Sequence, residues 1–497
     1  MTVRVPAPRF VSCAFVAALV LATVFAATIP AHAQSLVRLS SDYFLNLYSE
    51  HRSEVEPHTF AFGSTIVSAF QVARVFAGGG ADIGFATSTN GGTTWSYGFL
   101  PALTRVYQGG TYTAASDAAV AYDAKHGVWL ISSLPILNND ALAVAVSRST
   151  DGLHWGHPIL VDNSGSDDKN WIVCDNTATS PFYGNCYSEW DEPALGDLIF
   201  MSTSRDGGLT WSPGINTGDQ AGGLGGLPLV QPNGTVIVPY DGFFGMRAFR
   251  STNGGMSWTS SVLIANQSFR GEDGNLRSPG LPTAAVDKLG KIYVAWPDCR
   301  FRTGCNTDDI VLSTSTTGLS WTNPVRVPID PVTSTVDHFI PGLGVDPNTS
   351  GGTAHLAMTY YYYPVANCGN SCQLHVGYTV SQNGGATWTA GRHLAGPMNL
   401  SWLPPSQNGL MVADYLAVAF SNGHAFGVFA VAGAPQLNQL NEAMYTTTTA
   451  LLAPLDAPLF SSENDVAIPG VKGRFVWKFY DDEGNYPIPE SKQLPPQ

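Results

Sequence analysis

The sequence predicts an all-β chain folded as a β-propeller, a ring of four-stranded antiparallel sheets called blades. Three observations predict it: a short phrase that recurs six times, a spacing between copies that suits one blade, and a series of short apolar runs that follow polar loops. We favour seven blades, with six as the alternative.

The recurring phrase combines a Ser, usually an Asp or Asn two positions later, one or two Gly residues and a final Trp. Its copies occupy residues 88–95, 149–155, 204–211, 251–258, 315–321 and 381–388. Successive copies begin 47 to 66 residues apart, the length of a four-stranded blade with variable loops. Because an Asp or Asn side chain can accept backbone N–H groups of its own turn and Gly supplies positive φ, we interpret each copy as a hairpin turn that leads into a buried Trp.

Seven apolar runs predict the innermost strands, since a strand buried on both faces is apolar throughout. They lie at residues 64–70, 118–122, 171–174, 227–230, 281–286, 339–345 and 415–420. Six of these runs are followed by a copy of the phrase. The seventh continues only as strands at 424–432 and 441–450, and we expect residues 35–39 to supply its fourth strand and close the ring. If this last unit is an outer flap, the count is six.

The N-terminus has the form of a secretory leader. Arg4 and Arg9 precede an apolar run at 10–29, and residues 31–33 have the small-x-small pattern of a signal-peptidase site. We expect a signal peptide at 1–33 and a secreted or periplasmic mature chain that begins at Gln34. A retained membrane anchor is the competing interpretation, but polar residues interrupt the run.

The mature chain divides into a propeller at 34–454 and a tail at 455–497. The tail is rich in Pro and charge, and its aromatic segment at 475–480 is expected to dock on the propeller as a strap. Six cysteines remain after the leader, and we pair sequence neighbours as local disulfides because an exported chain meets an oxidising environment. The expected pairs are Cys174–Cys186, Cys299–Cys305 and Cys368–Cys372.

Charge and composition restrict the partners. The chain carries a formal net charge of −14, which repels phosphate backbones and excludes nucleic acid. No segment beyond the leader is apolar for long enough to cross a membrane. We expect a monomer that acts on a glycan or polysaccharide. No cofactor is expected; a structural Ca²⁺ near the axis is an alternative, although the acidic runs 167–168 and 308–309 are too short for a calcium loop.

The recurring phrase resembles the Asp-box of the sialidase, or neuraminidase, superfamily and of other BNR-repeat proteins, over residues 88–388. The resemblance implies a propeller whose boxes lie on turns away from the active site, and an activity like that of a secreted exo-α-sialidase. Sialidases bind the substrate carboxylate with three Arg, use a Tyr activated by a Glu as nucleophile, and use an Asp as acid/base. The Phe-Arg-Ile-Pro phrase that opens many sialidases is absent here.

Polar residues precede the predicted inner strands, where the loops of a propeller converge on its central axis. Transferred from the resemblance, the candidates are Arg74, Arg270 and Arg277 as anion clamp, Asp117 or Asp168 as acid/base, and Tyr415 with Glu272 as nucleophile pair. Further substrate-binding candidates are Asp337, His338 and Asp414, together with Trp402 as a sugar-stacking residue in the long insertion 394–409.

Two other functions remain open at this point. A polysaccharide lyase would use His58 or His338 with a Tyr to abstract the C5 proton of a uronic acid, while an Arg neutralises its carboxylate. A non-catalytic module would bind glycans or proteins, because propellers also serve as rigid platforms.

Overall fold

The structure is a computed structural model that describes residues 1–3, 35–243, 245–451, 459–462 and 464–470. In these ranges the regular structure consists of β-strands and five single 3₁₀ turns, which confirms the all-β prediction. The 3₁₀ turns are Pro193–Leu195, Thr303–Cys305, Gly351–Thr353, Gly369–Ser371 and Leu400–Trp402. Within the described ranges we find no helix whose length and apolar character would allow it to span a membrane.

The first strand, β1 (Leu36–Arg38), precedes two units of antiparallel strands. The first unit contains β2 (Glu50–Phe62), β3 (Thr65–Arg74), β4 (Gly80–Ser88) and β5 (Ser96–Phe99), paired in that order. The second contains β6 (Ala114–Asp123), β7 (Val128–Leu137), β8 (Asp140–Ala141), β9 (Val144–Ser149) and β10 (Ile159–Asp162), with β8 as a short branch on β7. A single pair between Gly80 and Ala115 joins the two units.

Four further antiparallel units follow. The third contains β11 (Asp168–Cys174), β12 (Cys186–Glu192) and β13 (Leu198–Ser204). The fourth contains β14 (Gly223–Leu224), β15 (Leu229–Val230), β16 (Val236–Gly242), β17 (Gly245–Ser251) and β18 (Val262–Ala265). The fifth contains β19 (Thr283–Val286), β20 (Ile292–Asp298), β21 (Asp309–Ser315) and β22 (Val325–Arg326). The sixth contains β23 (Asp337–Val345), β24 (Leu356–Tyr363), β25 (Gln373–Ser381), β26 (Trp388–Thr389) and β27 (Arg392–Asn399).

The chain ends in a unit completed by its own N-terminal strand. A small hairpin, β28 (Pro405–Ser406) and β29 (Gly409–Leu410), precedes β30 (Val418–Ser421), β31 (His424–Gly427), β32 (Phe429–Ala432) and β33 (Glu442–Thr447). Strand β30 pairs with β31, β32 pairs with β33, and β33 pairs with β1. Beyond the strand, the Leu39 N–H donates to the Met444 carbonyl at 2.8 Å. Residues 35–39 therefore supply a strand to the last unit, as the sequence predicts.

We call the strand that begins the main sheet of each unit its opening strand; in the fourth unit this is β15, since β14 and β15 both pair with β16. The opening strands contact one another in chain order: β2, β6, β11, β15, β19, β23 and β30. Strand β30 also contacts β2, so the series returns to its start. Six of the predicted inner strands coincide with these opening strands. The first prediction, residues 64–70, is wrong by one strand, because it falls on β3 and β2 opens that unit. The apolar pattern does not predict strand β2, because three of its buried residues are polar or charged: Glu54, Glu56 and His58.

Each copy of the recurring phrase forms a turn at the end of the third main strand of its unit; in the third unit this strand is β13, and no named strand follows it in the sheet. In the first copy the Ser88 hydroxyl accepts the Gly92 N–H at 2.9 Å, and Asn90 Oδ1 accepts the Thr94 N–H at 2.9 Å. Gly91 and Gly92 have φ of 67° and 85°, a conformation that a residue with a Cβ rarely adopts. These hydrogen bonds recur in the three other eight-residue copies, so the phrase sets the hairpin locally.

The three disulfides form as predicted between sequence neighbours, Cys174–Cys186, Cys299–Cys305 and Cys368–Cys372. The first of them links β11 to β12. Part of the tail docks on the sheets: β34 (Leu459–Phe460) pairs with β26, and the Ile468 N–H donates to the Arg300 carbonyl at 2.8 Å. The aromatic segment 475–480 lies outside the described residues.

Closure by the N-terminal strand yields a stability prediction. In Leu39→Pro the N–H that bonds Met444 is lost and a buried carbonyl remains unpaired, so we expect a lower melting temperature, equivalent to about 1–3 kcal/mol. Leu39→Ile, which keeps the N–H and the side-chain volume, is the matched control, and thermal melting monitored by circular dichroism is the measurement. Equal melting of the proline and isoleucine variants would contradict the closure.

Candidate active site

A cavity of about 410 Å³ lies beside β3 of the first unit and beside the opening strands β6 and β11 of the second and third units. Four of the predicted site residues line it: Arg74, Asp117, Asp168 and Arg277. Its other polar lining residues are Gln71, Ser116, Asn139, Asp140, Ser166, Asp167, Gln407 and Asn408. The cavity thus brings together two arginines from the predicted clamp and both predicted acid/base residues. These residues come from separate parts of the chain, namely β3, β6, β11 and the loop that follows Gly271.

Backbone bulges aim three charged residues toward this region. Glu56, Asp117 and Lys169 have φ of 56°, 49° and 45°, and each lies where the pairing register of an opening strand shifts. Left-handed backbone at a residue other than Gly costs on the order of 1–3 kcal/mol, and bulges of this kind redirect side chains. Repetition on three consecutive opening strands places three charged side chains close together.

Lys169 holds Asp117 in place. Its Nζ lies 3.4 Å from Asp117 Oδ1 and 3.4 Å from the centroid of the Tyr415 ring, with the Trp171 ring centroid at 4.8 Å. The lysine side chain is only 5% exposed. A buried ammonium needs compensation, which one carboxylate and the faces of two aromatic rings provide here. Asp117 is therefore an ion-paired carboxylate at the wall of the cavity.

The two arginines of the cavity lie near each other. Arg277 Nε donates to both carboxylate oxygens of Asp414, at 2.8 and 3.0 Å. Arg74 donates from Nε to the Met411 sulfur and from Nη1 to the Gly79 carbonyl, and its Nη2 has no hydrogen-bond acceptor among the described residues. Burial, followed by the charge of Arg277, lowers the pKa of Arg74 to about 10, which still leaves it cationic at neutral pH.

Glu56 is a buried carboxyl group near the cavity but is not part of its lining. Its Oε1 is 4.0 Å from Arg277 Nη2, and Gln71 donates to its Oε2. Burial first, and then the charges of Asp117 and Asp414, raise the pKa of Glu56 well above its ordinary value. Glu56 is not among the site residues that the sequence predicts. Its position in the bulge and its burial are decided by the tertiary structure.

Asp168 has different surroundings from Asp117. It pairs across the sheet with Asp191, which is fully buried and has no hydrogen-bond partner for either carboxylate oxygen in the described structure. Burial and the charge of Asp168 raise the pKa of Asp191 well above its ordinary value, and the same causes raise the pKa of Asp197 to about 7. Asp168 therefore lies beside two buried acids, whereas Asp117 has the ammonium group of Lys169 beside it.

The predicted nucleophile pair is not brought together. The Tyr415 hydroxyl donates to the Ala118 carbonyl at 3.4 Å, and its nearest acids are Glu56, Asp117 and Asp414. Burial and these charges raise the pKa of Tyr415 well above its ordinary value. Glu272 lies instead beside Asp337 and Arg270, and the described residues show no hydrogen bond between Glu272 and Tyr415. Burial among acids thus opposes the activation that a tyrosine nucleophile requires.

Three other predicted residues lie in ion-pair clusters away from the cavity lining. Arg270 donates to Asp337 and Asp273, both at 3.0 Å, so the third arginine of the clamp is not at the cavity. His338 is buried, with Nε2 at 3.9 Å from Asp330. The local sequence around these residues resembles that around the cavity residues. Only the packing of the fifth and sixth units places Arg270, Asp337 and His338 away from the cavity lining.

The remaining candidates have structural surroundings. His58 Nδ1 accepts the Val120 N–H at 2.8 Å, its ring packs on Trp171, and burial lowers its pKa to about 3. Trp402 packs against the apolar core, and the insertion that carries it reaches the cavity through Gln407 and Asn408 instead. Neither histidine proposed for lyase chemistry lines the cavity.

No family model matches the chain, and no curated protein matches it. Among solved structures, a sialidase of Trypanosoma rangeli shares 12% identity and a TM-score of 0.44, covering 83% of this chain and 58% of that one. The Hadza microbial sialidase Hz136 shares 12% identity and a TM-score of 0.42, covering 84% and 95%. A protein of unknown function from Dyadobacter fermentans DSM 18053 shares 13% identity and a TM-score of 0.44, covering 70% and 99%. Similarity at this level does not assign the chain to a family.

The acids around Asp168 predict how stability changes with pH. The pKa of Asp197 is raised in the folded state, so the stability it contributes is present below about pH 4 and is lost as pH rises toward 7. Asp197→Asn removes the ionisation, and Asn tolerates the φ of 56° at this position. We expect the variant to exceed the unaltered protein in stability by about 1–3 kcal/mol at pH 8 and to match it at pH 4, as measured by melting at both pH values. An equal difference at both pH values would contradict the assignment.

Proposed function

We propose that the chain is a secreted glycoside hydrolase that cleaves a glycan bearing a carboxylate, in the style of sialidases. The observation that carries this proposal is the cavity of about 410 Å³ lined by two arginines, Arg74 and Arg277, and two acids in contrasting surroundings, Asp117 and Asp168. A pair of carboxyl groups with different environments is what glycosidic cleavage requires. The arginines supply recognition of an anionic sugar.

The arginines would bind the carboxylate of the substrate. Guanidinium groups match carboxylates in geometry, and partial burial strengthens such contacts. Arg277 is held by Asp414 and Arg74 by Met411 and Gly79, so both side chains are oriented before substrate arrives. Such orientation lowers the entropic cost of binding.

The two acids would divide the chemistry. Asp168, which lies beside Asp191 and Asp197, would donate a proton to the glycosidic oxygen as the bond to the leaving sugar breaks. Asp117, which pairs with Lys169, would stabilise the positive charge that develops on the sugar ring or form the bond to its anomeric carbon, after which water attacks that carbon and returns a proton to Asp168. Tyr415 positions Lys169 through its ring face and takes no proton.

The architecture we propose is a seven-bladed propeller at residues 34–454, closed by β1. The cyclic contacts of the opening strands and the pairing of β1 with β33 support it. Residues 1–33 would act as the signal peptide, and the three disulfides fit an extracellular or periplasmic location. The mature protein would act as a monomer.

Activity measurements with carboxylate-bearing and neutral oligosaccharides test this proposal. We expect the purified mature chain to release reducing sugar or sialic acid from the anionic substrates only. Asp168→Asn and Asp117→Asn should each lower kcat about 10²–10⁴-fold, since each removes one carboxyl group of the pair. Asp273→Asn, which lies outside the cavity lining, is the control, and unchanged melting of the variants shows that the loss is catalytic.

Other outcomes separate the competing functions. Products with a new double bond, detected by far-ultraviolet absorbance, would establish a lyase instead. Glycan binding without turnover would establish a binding module. Abolished hydrolysis in Tyr415→Phe, with Asp117→Asn still active, would replace the paired-acid chemistry by a tyrosine nucleophile. Equal hydrolysis of neutral and anionic substrates would overturn the role of the arginines.

A further inference from the structure

Three carboxylates meet beside the cavity without taking part in the proposed catalysis. Asp162 ends β10, Glu192 ends β12, and Asp167 immediately precedes β11. One carboxylate oxygen from each lies within 4.8 Å of the other two. The three residues come from separate strand ends, so packing of the second unit against the third brings them together.

Asp167 is a buried carboxyl group that has no hydrogen-bond partner among the described residues. The residue is only 1% exposed, and neither of its carboxylate oxygens has a hydrogen-bond partner in the described part of the chain. Both features are costly for an ionised carboxylate, which in a protein interior is expected to be paired, hydrogen-bonded or bound to a metal. Asp167 shares its position only with two other acids.

A second acidic cluster in the same protein differs, because arginine side chains pair with its carboxylates. Asp309, Asp330 and His338 also present ligand atoms within 4.8 Å of one another. There, however, Arg302 Nη2 lies 2.5 Å from Asp309 Oδ1 and 3.0 Å from Asp330 Oδ1, and Arg326 Nε lies 2.9 Å from Asp309. In the described structure no Lys or Arg lies within 4.0 Å of the carboxylates of Asp162, Asp167 or Glu192.

The electrostatics point in the same direction. Burial, followed by the charges of Asp162, Glu192 and Asp168, raises the pKa of Asp167 to about 8. Burial and the charge of Asp162 also raise the pKa of Glu192. The proposal itself rests on the geometry: three carboxylates lie within 4.8 Å of one another, and the buried Asp167 has no hydrogen-bond partner among the described residues.

We propose that Asp162, Asp167 and Glu192 bind a Ca²⁺ ion. The ligand atoms are carboxylate oxygens alone, which suit a hard divalent cation, and the set lacks the nitrogen or sulfur ligands that a zinc site usually contains. Ca²⁺ accepts irregular oxygen sets completed by water and backbone carbonyls, whereas Mg²⁺ demands a near-ideal octahedron. The ion would supply the positive charge that no Lys or Arg supplies to Asp167 among the described residues.

The position of the site gives the ion a structural consequence. Asp167 and its neighbour Asp168 both line the cavity. An ion that holds Asp162 to Asp167 fixes both ends of the loop between β10 and β11, and Glu192 attaches that loop to β12. Ca²⁺ binding is independent of whether the cavity hydrolyses glycans, so the two proposals can fail separately.

Melting and terbium luminescence test the site on the purified mature chain. After treatment with EDTA and removal of the chelator, added Ca²⁺ should raise the melting temperature by about 2 °C or more. Tb³⁺ should show luminescence sensitised by Trp190, two residues before Glu192, and Ca²⁺ should displace it. Asp167→Asn should abolish both responses and, because it removes a buried charge, should melt no lower than the ion-free protein at pH 8.

The control is Asp330→Asn, which alters the arginine-paired cluster and should retain both the Ca²⁺ shift and the Tb³⁺ emission. Absence of both responses in the unaltered protein would overturn the proposal in favour of a protonated carboxyl group. Equal loss of Tb³⁺ emission in Asp330→Asn and Asp167→Asn would also overturn it, because binding would then not be specific to this group.

Discussion

Burial of charged side chains on the opening strands governs how the units pack around the cavity. Bulges at Glu56, Asp117 and Lys169 carry charged side chains into a region with little solvent. Each charge there needs a partner or a proton, because isolated ions are costly to bury. Lys169 pairs with Asp117, Arg277 pairs with Asp414, and burial together with neighbouring acids raises the pKa of Glu56. The cavity is the place where this network meets solvent.

Acids outnumber bases in the same region, and the imbalance decides what the site can do. Asp117 has the ammonium group of Lys169 beside it, and Asp168 lies beside Asp191 and Asp197. Two carboxyl groups in different surroundings can serve as proton donor and as stabilising anion. The group Asp162, Asp167 and Glu192 adjoins this acidic region, and a divalent cation would supply the positive charge that no Lys or Arg of the described residues supplies there. The fifth and sixth units solve the same problem differently, with Arg302 and Arg326.

Local and long-range interactions have separate roles in holding the units in place. Each recurring turn is completed by hydrogen bonds within eight residues, so the units can form hairpins independently. The contacts between opening strands and the pairing of β1 with β33 join residues far apart in the chain. The geometry of the cavity depends on these distant contacts, because its lining residues come from β3, β6, β11 and two later loops.

The sequence by itself determined the all-β class, the recurring turns, six opening strands, the strand that completes the last unit and the three disulfides. These features follow from interactions between near neighbours or from burial of apolar runs, which leave a visible pattern. The tertiary structure alone decided that β2 opens the first unit, that Arg270 and Glu272 lie in a separate cluster, and that Glu56 joins the site. A charged residue before a strand has the same local sequence whether it is paired for structure or exposed to a cavity. Only the partners that folding places beside it, and the solvent that folding removes, distinguish the two.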